Sequence, residues 1–300
     1  MKIQTMSVVV GGKACNAQCP FCVSKMTGED FGIADGEVTV GRNFEKACRL
    51  AEIGGVTTIL LTSKGEPTLY PNQIGIFLDR LDHWHFPFVE LQTNGIQLYL
   101  ERDGLDANHR LQTWHKSGLT TIIISVVHYD AAKNREIFTP DREQYIDLPL
   151  LIGKLHSIGF MVRLNVTMMS GYIDNEKKID DFIKYSLAND VEQISIRPMR
   201  VPDKSENETI HEWAKQKALT NSWIGRIRKH FATEYADRKL MSLAHGAEVF
   251  DIYGVSVCFT DCLTREPEQR NELRQIIYYP DGRVAYDWAL KGAILLPKEK

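Results

Sequence analysis

Cysteine is scarce in this chain, and long apolar runs are missing. Six cysteines among 300 residues are too few for the dense disulfide framework of a small secreted domain. The opening MKIQTMSVVV carries no charged leader, long apolar stretch or cleavage site, so a reducing, cytoplasmic setting is expected. No segment approaches the roughly 20 apolar residues of a membrane span, and no membrane partner is expected. Charge of one sign is lacking too. With 36 basic and 39 acidic side chains, a net charge of −3 disfavours a broad nucleic-acid footprint while leaving a local basic patch open. Low-complexity tracts and internal repeats are absent, and the length suits one large α/β domain with an extension.

Three of the cysteines stand together. Cys15, Cys19 and Cys22 form CxxxCxxC within GGKACNAQCPFCVSKM. Structural zinc needs four nitrogen or sulfur ligands, usually in two close pairs, and no second pair follows within zinc-finger distance. A cubane iron–sulfur cluster is normally closed by four thiolates, so three would leave one iron open to chemistry. Downstream, TTILLTSKGEPTLYP reads as an apolar strand over Thr57 to Leu61 followed by Gly65, Glu66 and Pro67. Taken alone, such a Gly-Glu-Pro is equally a solvent-facing turn with an acidic helix cap.

The triplet, with Phe21 directly before its last cysteine and an apolar first strand ahead of it, resembles the radical S-adenosylmethionine (radical SAM) superfamily, in pattern its MoaA/SPASM-like branch. The Gly65-Glu66-Pro67 loop is similar to that family's glycine-glycine-glutamate-proline loop, with Lys64 where the first glycine would stand. If that position demanded a positive φ, lysine would be strained there. The resemblance implies that Cys15, Cys19 and Cys22 hold a [4Fe-4S] cluster and that SAM chelates the fourth iron. An electron from a donor such as flavodoxin or ferredoxin would then split the sulfonium, giving methionine and a hydrogen-abstracting 5′-deoxyadenosyl radical in an oxygen-sensitive enzyme. Phe21, Gly65, Glu66 and Pro67 would contact SAM, the carboxylate facing its ammonium and the glycine admitting close backbone approach.

Strand and helix patterns alternate along the chain. Strands are expected near Ser7 to Val10, Thr57 to Leu61, Phe88 to Gln92, Thr120 to Val126, Phe160 to Val166 and Gln193 to Arg197. Helical spacing fills Asn43 to Glu52, Asn72 to Trp84, Asn108 to Lys116, Asp147 to Ser157 and Asn175 to Ala188. Six such units imply a parallel sheet and match the partial (β/α)6 TIM-like barrel that the resemblance implies, over residues 1–200. Functional groups of such barrels gather at the carboxyl ends of the strands. Thr93 and Asn94 lie there in a turn, and Ser125 ends the fourth strand. Arg163, Asn165 and Thr167 share one face of the fifth. By position in the family, Thr93, Asn94 and Ser125 are SAM contacts, Arg163 meets the SAM carboxylate and Asn165 the ribose; an internal hydrogen-bond network is the alternative. Arg197 ends the sixth strand and suits a carboxylate or phosphate of the substrate. His128 and Tyr129 are weaker candidates for proton or hydrogen donors, and no catalytic residue is assigned.

Residues 201–300 read as a C-terminal α+β extension covering the barrel and shaping the substrate pocket. It holds two helical segments, then VFDIYGVSVCFTDC and QIIYYPDGRVAYDW as antiparallel strands with a turn at Pro280-Asp281-Gly282. Cys258 and Cys262 form CxxxC, too few for a complete auxiliary-cluster motif, and a second cluster is left open. Three functions compete: a radical SAM enzyme acting on a small anionic molecule such as a nucleotide or amino-acid derivative, one that modifies a peptide, protein or tRNA, and a non-catalytic iron–sulfur or zinc protein. The arginines, and the lack of an obvious leader-peptide domain, favour the first.

Overall fold

The alternating pattern folds into an alternating structure, and several helices have a local reason to start. The computed structural model describes residues 2–26, 35, 37–38, 40–143, 145–243, 246–260, 272–288 and 292–299. Strand β1 (Lys2–Val9) leads through the cysteine loop to α1 (Arg42–Ile53). Then follow β2 (Thr58–Thr62), α2 (Pro71–Leu81), β3 (Phe88–Thr93), α3 (Ile96–Leu100), α4 (Leu105–Lys116) and β4 (Thr121–Val126). After them come α5 (Ala131–Phe138), α6 (Leu148–Ile158), β5 (Met161–Met168), α7 (Glu176–Ala188) and β6 (Gln193–Pro198). Asp147 caps α6 by accepting from Leu150 N at 2.9 Å, and Asn175 caps α7 by accepting from Lys178 N at 3.0 Å, satisfying amide donors that a helix start leaves open. The short α3 and α5 were not expected; one or two turns carry too little periodicity to be read.

Strands β1 to β6 pair in sequence order, all parallel. Period two sends Ile59, Leu61, Val89, Leu91, Ile122, Ile124, Val162, Leu164, Ile194 and Ile196 to one face, where all are buried beneath Phe44, Phe77, Leu78, Trp114, Leu155 and Phe182 from the helices. The other face carries Gln92, Ser125, Thr167 and Arg197. Together with Thr62 these residues, from five successive strands, line a single cavity of about 390 Å³. A flat sheet would spread them over roughly 19 Å at ~4.8 Å per strand, so the sheet curls around its polar face.

Past residue 200 run α8 (Glu208–Lys217), α9 (Asn221–Glu234), β7 (Lys239–Ser242), β8 (Glu248–Ile252), β9 (Val255–Phe259), β10 (Glu272–Tyr278), β11 (Val284–Ala285) and β12 (Ile294–Leu296). The expected antiparallel hairpins form: β8 with β9 around Tyr253 and Gly254, and β10 with β11 around the Pro280–Gly282 turn. Their placement was not legible from the sequence. Strand β9 joins β6 in parallel and β10 joins β1 in parallel, giving one twelve-stranded order β12-β11-β10-β1-β2-β3-β4-β5-β6-β9-β8-β7 among the described residues. The extension lengthens the barrel sheet at both edges. Helix α8 also reaches the cysteine loop, where Trp213 packs on Phe21 with ring centroids 6.2 Å apart and Glu206 N donates to Met26 O at 3.0 Å.

Candidate active site

The cavity opens at the carboxyl ends of the strands, and two loops build one side of it. Cys15, Cys19 and Cys22 all line it, with Phe21, Lys64, Gly65 and Glu66. The loops lie in contact: Glu66 N donates to Ala14 O at 2.9 Å, and a Cβ on Gly65 would come within 2.1 Å of that oxygen. Close approach, rather than a positive φ, is thus why glycine stands at Gly65. The anticipated strain at Lys64 does not arise either, because Asp190 and Tyr253 are the non-glycine residues with positive φ among those described. Lys64 instead lines the cavity.

Glu66 is fully buried and organises the site. Its Oε1 accepts from Thr68 N at 3.1 Å, Thr68 Oγ1 at 2.7 Å and Thr93 Oγ1 at 2.5 Å, and its Oε2 from Asn94 N at 2.8 Å. Burial raises its pKa against the opposing pull of these donors. Oε1 is saturated by protein, which leaves Oε2 to receive an ammonium from a ligand. Asn94 carries the network onward, donating to Asn16 Oδ1 at 2.7 Å and, more weakly, to Cys15 Sγ at 3.8 Å. Gly95 follows with φ +77° and opens α3, so the Thr-Asn-Gly turn links the glutamate loop to the cysteine loop.

The three thiols suit an iron–sulfur cluster in chemistry and placement. Burial pushes the pKa values of Cys15 and Cys19 up, and the charges of neighbouring thiols add to it, so three thiolates here need a cation to neutralise them. Among the described residues no three His, Cys, Asp or Glu side chains converge as ligands of a single metal ion must. A cluster imposes no such convergence, since each thiolate binds a different iron. Among the described residues, buried Asn16 Nδ2 and Tyr145 Oη have no hydrogen-bond partner, the state expected of donors beside a missing acceptor.

Phe21, Gly65, Glu66, Thr93, Asn94, Ser125 and Arg197 gather around the cavity with the cysteines; Pro67, Arg163 and Asn165 do not line it. Pro67 is buried in a 3₁₀ turn capped by Glu66. Arg163 is engaged elsewhere: Nη1 and Nη2 donate to Glu90 at 2.9 and 2.5 Å, and Nε to Gln193 at 2.7 Å. An arginine so paired is not free for a SAM carboxylate, which corrects that expectation in favour of an internal network. Asn165 is buried one row above it, in register between Ser125 and Ser195. His128 does not line the cavity; its Nδ1 accepts from Asp130 N at 3.0 Å, and its ring lies 4.2 Å from that of Tyr129. Sequence reasoning missed Phe138, Met199 and Thr62 as cavity residues, which belong to no motif. Cys48 is buried in α1 and Cys258 half-buried on β9; Cys262 lies outside the described residues.

The model of the radical SAM superfamily matches residues 9–185, the span that holds both loops and the four barrel strands β2 to β5. The chain is a member of the radical SAM superfamily. Its cofactors are accordingly a [4Fe-4S] cluster and SAM, and its fold is the family's partial TIM-like barrel. The chain is similar to SuiB of Streptococcus suis, at 16% identity and TM-score 0.62, over 99% of this chain and 63% of that one. The same protein bound to its precursor peptide SuiA matches at 15% identity and TM-score 0.59, over 99% and 62%. Methylornithine synthase (PylB) matches at 13% identity and TM-score 0.52, over 76% and 62%. The chain thus spans less than two thirds of the length of these solved relatives, and at such identities the likeness is one of fold. No curated protein matches. No helix among the described residues is long and apolar enough to cross a membrane.

Proposed function

We propose that Cys15, Cys19 and Cys22 hold the [4Fe-4S] cluster, that SAM lies against Phe21, Gly65, Glu66, Thr93, Asn94 and Ser125, and that the enzyme abstracts a hydrogen atom from a small anionic substrate bound at Arg197. When bound and given one electron by a donor such as flavodoxin or ferredoxin, the two cofactors supply a 5′-deoxyadenosyl radical. The chain's own residues position the reactants. Glu66 Oε2 receives the SAM ammonium. We further propose that residues 201–300 shape the substrate pocket, supported by Trp213 on Phe21.

The observation that carries the anionic substrate is the state of Arg197. It lines the cavity and has no hydrogen bond or ion pair among the described residues. Burial alone pulls its pKa down. An arginine desolvated without an anion is costly, so a ligand carboxylate or phosphate is its natural counter-charge. Lys64 and Arg200 line the same cavity and add to the positive field. A second reading, modification of a peptide with an acidic residue at the same arginine, is supported by fold likeness to SuiB across 99% of this chain.

Anaerobic reconstitution with iron and sulfide, then reduction with SAM, tests the proposal. About four irons per chain and slow release of 5′-deoxyadenosine are expected. Carboxylate- and phosphate-bearing small molecules that accelerate the release in the wild type should lose that effect in Arg197→Ala, whose uncoupled SAM cleavage stays intact. Acceleration by acidic peptides alone would favour the second reading, and a colourless protein holding only zinc would overturn both.

A further inference from the structure

The crossover between α5 and α6 is bound to the cysteine loop. Gln18 N donates to Phe138 O at 2.8 Å, and Gln18 Nε2 to Asp141 Oδ2 at 2.7 Å. Phe138 forms part of the cavity wall and stacks on Tyr145, with ring centroids 5.9 Å apart and an interplanar angle of 22°. The Tyr145 hydroxyl is buried and has no hydrogen-bond partner among the described residues. The ring on which Tyr145 stacks lies on the crossover that Gln18 of the cysteine loop holds. Two further buried polar atoms of the same region, Thr139 Oγ1 on the crossover and Asn16 Nδ2 on the cysteine loop, are also without partners among the described residues. Buried polar groups are rarely left unmatched, and a cluster of them around one loop points to an acceptor that the described residues do not provide. Cluster sulfides and cysteinyl sulfurs are acceptors only.

We propose that Tyr145 Oη donates a hydrogen bond to a sulfur of the cluster and thereby raises the cluster's reduction potential. The inference rests on the cysteine assignment made above. Reduction adds one negative charge to the cluster, so a donor to sulfur stabilises the reduced state more than the oxidised one. Tyr145 is then a positioning and tuning residue that takes no part in the hydrogen abstraction.

The test compares full-length wild type with Tyr145→Phe, which keeps the ring and its stack on Phe138. Without SAM, an EPR-monitored redox titration of the reconstituted variant should show unchanged iron content and a lower midpoint potential. In the metal-free proteins the thermal midpoint of the variant should equal or exceed that of wild type, because the hydroxyl has no partner there. An unchanged potential, or a difference that emerges only with SAM present, would overturn the proposal, the latter by assigning the donor to SAM. A metal-free variant that unfolds more easily also contradicts it, by revealing a protein partner. Failure of the wild type to take up iron would instead remove the cysteine assignment itself.

Discussion

Glu66 sits where a carboxylate is costly to bury, and four donors from Thr68, Thr93 and Asn94 hold it there. Glu66→Gln keeps the shape but turns one acceptor into a donor facing donors. Metal-free Glu66→Gln should therefore lose about 1–3 kcal/mol of stability, read as a lower urea midpoint, and bind SAM more weakly when loaded; an unchanged midpoint would refute its organising role. The cysteines divide more simply. Cys15→Ala, Cys19→Ala and Cys22→Ala should each strip the protein of its iron, whereas Cys48→Ala should retain it, since that thiol is buried in α1 outside the cavity; iron analysis after reconstitution decides. His128 offers a pH signature. Burial lowers its pKa, and its Nδ1 must be unprotonated to accept from Asp130 N. The unfolded chain then binds more protons than the folded one between the depressed value and the usual ~6.5. The stability from neutral His128 is fully present above about 6.5 and is lost as pH falls through the depressed pKa. In His128→Gln that part of the acid-side loss should vanish from the urea midpoint against pH.

At the scale of elements, the polar face of the barrel contains two kinds of arginine. Arg163 on β5 is matched by Glu90 on β3 and Gln193 on β6, and so joins strands across the interior; Arg197, nearer the carboxyl ends, has no such match among the described residues. Period-two alternation put both on the polar face but could not separate them, because the difference lies in which distant strand supplies an acid. Glu90→Ala should leave the half-buried Arg163 without its counter-charge and cost about 2–3 kcal/mol, below the range for a fully buried pair. Equilibrium unfolding that shows a loss below 1 kcal/mol would mean the pair is solvated. The contact of α8 with the cysteine loop is likewise an element-scale fact. Trp213 and Phe21 were each visible as residues, and their meeting depends on the path of the chain after β6.

For the whole molecule the decisive feature is that β10 returns to pair with β1, in register from Lys2 with Glu272 to Val8 with Tyr278. Asn43 at the start of α1 is held by the same return: its side chain donates to Gly282 O at 2.9 Å and Pro297 O at 2.8 Å, and its N–H to Glu299 Oε1 at 2.6 Å. Removing residues 272–300 would leave the backbone groups of β1 unpaired beside the apolar Met6 and Val8, an edge prone to aggregation. The shortened chain should be insoluble or aggregate in light scattering. Soluble truncated protein that still takes up iron would show that β10 is dispensable to the barrel.

The sequence by itself determined what short stretches can encode. Three cysteines at close spacing, a glycine and an acid after an apolar strand, a Thr-Asn-Gly turn and six alternating units are local patterns, because period and turn chemistry act over a few residues. Only the tertiary structure decided that Glu66 bonds to Thr93 and Asn94, that Arg163 is neutralised while Arg197 has no counter-charge among the described residues, that Tyr145 stacks on the cavity residue Phe138, and that β9 and β10 extend the sheet at both edges. Most of these join residues far apart in the chain, and such a pairing depends on the free energy of the whole packed arrangement, which no local window of sequence contains.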